Sequence, residues 1–152
     1  MKNLLLVISI SAVLVSCKGK SEQSFVPEEY MSKIQQLDSQ YAHHLMMQHT
    51  DSLEKVISND AIMLVEGESE IKGINSIKEW YRNAFDYGFK SVKDSITSIT
   101  GDENNIVEVG RSTVGLKIGE SDTLSYEVYK YLRVWHKQPN GVYKLSREIW
   151  NN

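Results

Sequence analysis

The sequence predicts an α+β domain in which helices lie against one face of an antiparallel sheet. Through the first half of the chain, apolar residues recur at spacings of three and four. Beyond Gly88 the period changes, and long runs rich in Val, Ile, Thr, Tyr and Trp alternate with turn sequences. Helices first and a meander of strands afterwards is the order of an α+β fold. With 152 residues, 41% hydrophobic and 24% charged, the chain suits one globular domain. A formal charge of −3 with no basic stripe argues against nucleic acid as a partner.

The first segment reads as an export signal. Lys2 supplies the positive end, and Leu4 to Val15 supply an apolar run. As a helix that run reaches roughly 18 Å, short of the ~30 Å of a hydrocarbon core, so it suits a signal peptide better than a permanent span. The run closes on Leu14-Val15-Ser16-Cys17, and Cys17 is the only cysteine. This stretch resembles the lipobox of bacterial lipoproteins, which implies cleavage after residue 16 and acyl chains on Cys17. Two hydrophobic anchors suffice for stable membrane attachment. The organisation expected is a signal peptide at 1–16, an acylated Cys and flexible tether at 17–27, and a folded domain at 28–152. Localisation follows: the cell envelope, lipid-anchored. Lys18, where some inner-membrane lipoproteins carry Asp, tilts the expectation to the outer membrane.

Pro27-Glu28-Glu29 opens a helix, since Pro suits the first turn and the acids complement the dipole. Tyr30, Ile34, Leu37, Tyr41 and Leu45 give it one apolar face. Asp51 with Glu54, and Ser76 with Glu79, have the form of capping boxes and predict a second and a third helix. The third carries Ile77, Trp80, Tyr81, Ala84 and Phe85 and ends at Gly88. Between them, Ala61–Val65 reads as a strand that turns at Glu66-Gly67-Glu68 and returns at Ile71-Lys72. Four longer strands are expected near 90–100, 106–118, 124–136 and 142–150, separated by Gly101-Asp102, Gly119-Glu120-Ser121-Asp122 and Pro139-Asn140-Gly141.

This order of elements resembles the nuclear transport factor 2-like superfamily. Asn59-Asp60-Ala61 followed by Gly73-Ile74-Asn75-Ser76-Ile77 looks like one of its recurrent stretches. The tail, from Tyr131-Leu132-Arg133-Val134-Trp135 through Asn140-Gly141 to Ile149-Trp150-Asn151, looks like its SnoaL-like branch (domain of unknown function 4440). The resemblance implies a cone of curved antiparallel sheet packed against three N-terminal helices, with an internal pocket. It also implies a homodimer through the outer sheet face.

The superfamily includes ketosteroid isomerases, which use a carboxylate base and an oxyanion hole of a Tyr and a protonated Asp. By the resemblance, Tyr41 falls at the hydroxyl donor, Tyr81 at a supporting Tyr that bonds to it, and Trp150 at a pocket Trp. The base position falls on Val65. Glu66 follows it and, on a continuing strand, points to the opposite face. The second oxyanion donor falls near Lys130 or Tyr131, neither an acid. Steroid isomerisation is therefore not expected.

If Trp150 faces inward, alternation puts Glu148 and Ser146 on the same side. Tyr129, Tyr131, Arg133 and Trp135 share one face of their strand, and Val128, Lys130, Leu132 and Val134 the other. Which face lines the cone stays open, because one bulge reverses the parity. An inward Glu148 near Tyr or Arg could anchor a ligand or exchange a proton, or it could be spent on an ion pair with Arg133 or Arg111. His43, His44 and His49 lack the spacing of three or four that puts metal ligands on one helical face, so neither a metal nor a cofactor is expected. The preferred reading is an envelope lipoprotein that binds a small apolar or aromatic molecule in a pocket lined by Tyr41, Trp80, Tyr81, Glu148 and Trp150. Two alternatives stand beside it. One is an enzyme of the polyketide-cyclase, dehydratase or isomerase type, with Glu148 or Glu66 as acid/base and Tyr41 as electrophile. The other is a structural or partner-binding lipoprotein.

Overall fold

The computed structural model describes residues 25–119 and 123–152. The signal segment, Cys17 and the tether up to residue 24 lie outside the described residues. In chain order the elements are α1 (Pro27–Met46), a 3-10 helix (Thr50–Lys55), β1 (Ile57–Val65), β2 (Ile71–Lys72), α2 (Ile74–Asp86), β3 (Phe89–Gly101), β4 (Asn105–Lys117), β5 (Leu124–Lys137) and β6 (Tyr143–Asn151). The strands form one curved six-stranded sheet in the order β2-β1-β6-β5-β4-β3.

The sheet is mixed, not wholly antiparallel as expected. β1 runs parallel to β6, from Ile62 beside Arg147 to Val65 beside Trp150, and all other pairs are antiparallel. Parallel neighbours need a long connection. Here α2 and the β3–β5 meander supply it, so β6 returns into the middle of the sheet.

Neither capping box acts as a cap. The 3-10 helix has no side-chain cap, because its acids face α2: Lys78 Nζ lies 2.9 Å from Glu54 and Arg82 lies 3.3 Å from Asp51. α2 starts at Ile74, two residues before Ser76, and its N-cap is Gly73 (φ +81°), a backbone conformation that suits glycine. On α1 the buried side chains are Ile34, Asp38, Tyr41 and Leu45. The helical face is the expected one, except that an aspartate sits at its centre.

The inner face of the sheet is now fixed. Tyr131, Arg133 and Trp135 of β5 are buried, and Ile106, Glu108, Ser112 and Val114 of β4 join them. On β6 the alternation breaks. Val134 pairs with Arg147 but Trp135 pairs with Leu145, so Ser146 is an extra residue, its hydroxyl donating to the Val134 carbonyl. The bulge puts Leu145 inward where simple alternation put Ser146, while Glu148 and Trp150 stay inward.

Gly110 of β4 lies opposite Tyr131 of β5, whose ring folds over it. A Cβ at 110 would come within 2.3 Å of the Tyr131 hydroxyl and 2.7 Å of the Ser95 carbonyl oxygen. The second contact is backbone and cannot swing away. Gly110→Ala should therefore cost about 1–3 kcal/mol through overpacking, read as a lower urea midpoint. An unchanged midpoint would mean that both Tyr131 and the β3 backbone at Ser95 give way freely.

Candidate functional site

Two assemblies meet inside the cone, one polar and one mainly apolar. The first is a closed hydrogen-bond network at its centre. Tyr41 of α1 and Tyr81 of α2 bond through their hydroxyls, and Tyr41 donates to Glu148 Oε2 at 2.9 Å. Since Tyr41 has one proton to give, Tyr81 donates to Tyr41. Arg133 Nε meets the other oxygen of Glu148 at 2.6 Å, and its Nη1 reaches Asp38 (2.9 Å) and Asp94 (2.6 Å). Glu108 accepts from the Tyr131 hydroxyl and the Trp135 indole N–H, both at 2.6 Å. The Arg133 guanidinium also lies 4.0 Å from the centre of the Tyr131 ring.

This centre holds one arginine and four carboxyl groups away from water, and electrostatics must settle the imbalance. Burial disfavours charge on Arg133, but Glu148, Asp94 and Asp38 overcome that and hold its pKa well above the ordinary value. Burial, then the Glu148 charge, pushes the Tyr41 and Tyr81 hydroxyls well up, so both stay protonated. Asp38 is pushed from 3.8 up to about 9, chiefly by burial, which Arg133 only partly offsets. Ionised, Asp38 would leave Oδ2 without a donor; protonated, it donates to Glu108. Asp38 thus acts as a neutral acid, and the proton relieves the charge imbalance.

That proton has a measurable sign. The unfolded chain releases it near pH 4 and the folded chain holds it to about pH 9. Between those values the folded state binds more protons, so this group's contribution to stability falls as pH rises. Asp38→Asn keeps an acceptor for Arg133 and a donor for Glu108 without titrating. The variant should match or exceed the parent in stability at pH 8 and lose much of the parent's decline between pH 6 and 9, followed by thermal melts. A steeper decline in the variant would refute a neutral Asp38.

The second assembly is a cavity of about 350 Å³ walled by α2, the end of β1, and β3 to β6. Trp80, Tyr81, Phe89, Leu116, Tyr129 and Trp150 give it an aromatic and aliphatic lining, with Glu66 and Glu68 at its rim. Trp80 and Trp150 stand nearly perpendicular, 86° apart with centroids at 5.8 Å. Trp80 donates its indole N–H to Glu68 at 2.8 Å. Trp150, only 8% exposed, leaves its indole N–H without an acceptor among the described residues.

The sequence-derived site residues therefore divide between the two assemblies. Trp80, Tyr81 and Trp150 line the cavity; Tyr41 and Glu148 sit in the closed network, with Tyr81 belonging to both. Val65 lines the cavity with an aliphatic side chain where an isomerase would place its base. Glu66 does not turn to an opposite strand face. β1 stops at Val65, so Glu66 opens the turn, reaches the same cavity, and accepts the Asn152 backbone N–H at 3.0 Å. Glu148 pairs with Arg133 and not with Arg111. Among the described residues no group of His, Cys, Asp or Glu is placed to hold a metal ion.

Sequence reasoning missed Asp38, Asp94 and Glu108. Asp38 did leave a trace, since it falls between Ile34 and Tyr41 on the apolar face of α1. Glu108 left another, at an inward position between Ile106 and Gly110. Asp94 left a third, at an alternating position of β3 between Val92 and Ile96.

No family model and no curated protein matches the sequence. Solved structures do match. One is an NTF2-like protein with a cystatin-like fold from Novosphingobium aromaticivorans, at TM-score 0.68 and 17% identity over 81% of each chain. A ketosteroid isomerase-like protein from Erwinia carotovora superposes at TM-score 0.69 and 12% identity, over 80% of this chain and 95% of that one. An NTF2-like superfamily protein from Salmonella enterica gives TM-score 0.70 and 12% identity, over 82% and 92%. With the curved sheet closed by the helices around buried Tyr41, Tyr81 and Arg133, these likenesses give the chain the nuclear transport factor 2-like fold.

Proposed function

We propose that this chain is an envelope lipoprotein, anchored at the outer membrane through acyl chains on Cys17, whose domain binds a small apolar or aromatic molecule in the cavity beside Trp150. The carrying observation is the cavity itself: about 350 Å³, lined mainly by aromatic and aliphatic side chains. That lies within the size range and composition of small-molecule sites. The lipobox-like stretch ending at Cys17 supports the anchor. No described helix is long and apolar enough to cross a membrane.

The geometry favours binding over turnover. Both oxygens of Glu148 are occupied, one by Arg133 and one by Tyr41. A general base must lie within reach of the substrate proton, and Glu148 is buried in the network and forms no part of the cavity wall. The dehydratase or isomerase reading is then left with exposed Glu66 at the rim.

A second reading, compatible with the first, is a homodimer through the outer sheet face. Leu64, Ile149, Leu132 and Val109 are direct cross-strand neighbours from β1 through β6 and β5 to β4. Leu64, Ile149 and Val109 are about 40% exposed, forming an apolar row that a second copy could cover.

Native mass spectrometry of the purified full chain tests these proposals together. The expected spectrum shows an acyl mass that Cys17→Ala abolishes, and a bound small molecule that Trp150→Ala releases. A clean protein mass in both the parent and Trp150→Ala would count against a tight-binding pocket. A purely monomeric spectrum would count against the dimer.

A further inference from the structure

The cavity has a sign as well as a size. Among the described residues that line it there is no Lys, Arg or His; its ionisable groups are Glu66, Glu68 and tyrosines. Tyr129, in the wall, hydrogen-bonds the carboxylate of Glu127 just outside, which adds a third negative group to the same side. The walls carry π-faces at several angles. Trp80 stands at 86° to Trp150, Trp80 at 85° to Tyr81, and Tyr129 at 45° to Trp150. Indole and phenol faces attract a cation through their quadrupole, most strongly where water is excluded. The two rim carboxylates would draw such a group in and repel an anion.

A second observation bears on the rest of the ligand. The Trp150 indole N–H is buried, belongs to the cavity wall and has no acceptor among the described residues. A buried donor left unpaired is costly, and an oxygen on the ligand would satisfy it.

We infer that the cavity takes an organic cation, an amine or quaternary ammonium group on a small body that also carries an oxygen acceptor, held among Trp80, Tyr129 and Trp150 with Glu66 and Glu68 at the mouth. This rests on the binding reading above and narrows its ligand class. Glu68 has a positioning role as well, since it fixes the plane of the Trp80 indole through their hydrogen bond. Glu66 and Glu68 both act here as acceptors of N–H groups, a role glutamine can keep. Replacing them with glutamine therefore removes the charge and leaves the hydrogen bonds.

The test compares choline with 3,3-dimethylbutan-1-ol, in which a carbon replaces the ammonium nitrogen while shape and hydroxyl are kept. Both are titrated into the purified full chain by calorimetry, with tryptophan emission as a second readout. Choline should bind roughly tenfold tighter than the alcohol, the size of one desolvated cation–π contact. That margin, the ratio of the two affinities, should shrink in high salt and in the E66Q/E68Q double variant. Equal affinities would overturn the cationic ligand and leave the pocket reading standing. Binding of neither would also overturn it. The co-purified mass in the parent and Trp150→Ala would then decide the pocket reading separately.

Discussion

Arg133→Met should cost the domain on the order of 3–5 kcal/mol, the penalty for leaving buried charges without their partner. Arg133 is 1% exposed and is the cation that Asp38, Asp94 and Glu148 share. Methionine fills much of the same volume, so the loss reflects charge and not a cavity. A domain of ordinary stability, about 5–15 kcal/mol, would survive in part or unfold outright. Acid should restore some of what is lost. Without the arginine, the carboxyls favour their protonated forms in the fold more than in the unfolded chain, so stability rises as pH falls. Circular-dichroism melts at pH 5 and pH 8 read this directly. Arg133→Lys should fall between, because an ammonium cannot fork to Glu148 through one nitrogen and to two aspartates through another. A methionine variant as stable as the parent at pH 8 would show that the carboxyls are already neutral and that the guanidinium balances little charge.

The second large effect is expected at Trp135. This side chain is wholly buried and combines two contributions, ring volume and an indole N–H given to Glu108 Oε2 at 2.6 Å. Trp135→Ala should lose about 3–5 kcal/mol, the range for emptying a large aromatic site. Trp135→Phe keeps much of the ring but orphans one oxygen of Glu108, and should lose about 1–3 kcal/mol. Adding Glu108→Gln to the phenylalanine variant tests the origin of that smaller loss. If it comes from the stranded carboxylate, the double variant should recover part of it in urea denaturation, a coupling between contacting residues. Strictly additive losses would assign the effect to packing alone.

How far the site could be read in advance depended on which physical signal each residue carries. The strands of the meander announced themselves by composition and turn residues, and β3 to β6 lie within a residue or two of their expected limits. Tyr41 and Tyr81 were placed by the resemblance, and their hydroxyls do meet. The capping boxes misled, because an acid three residues after Asp or Ser can equally serve a neighbouring helix, as Glu54 serves Lys78. The β6 bulge at Ser146 was invisible, since nothing in a run of alternating residues marks where the ladder gains one. The polar centre was the least legible part. Asp38, Asp94 and Glu108 come from three elements far apart in sequence, and although each falls on an apolar face, none alone names its partner. Only the shared guanidinium of Arg133 and the Tyr131 and Trp135 donors explain their burial.

The place of β6 in the sheet also sets when the domain can fold. β6 is the last strand in chain order, yet it lies between β1 and β5, and it supplies Glu148 to the centre and Trp150 to the cavity wall. Until it arrives, the β1–β2 hairpin and the β3–β5 meander share no edge, and the Arg133 network lacks one of its carboxylates. Pairings this distant in sequence form slowly because the loop must close first. A stable domain therefore requires β6 to be in place between β1 and β5. Without β6, β1 and β5 each keep an unpaired edge, a template on which another chain could pair.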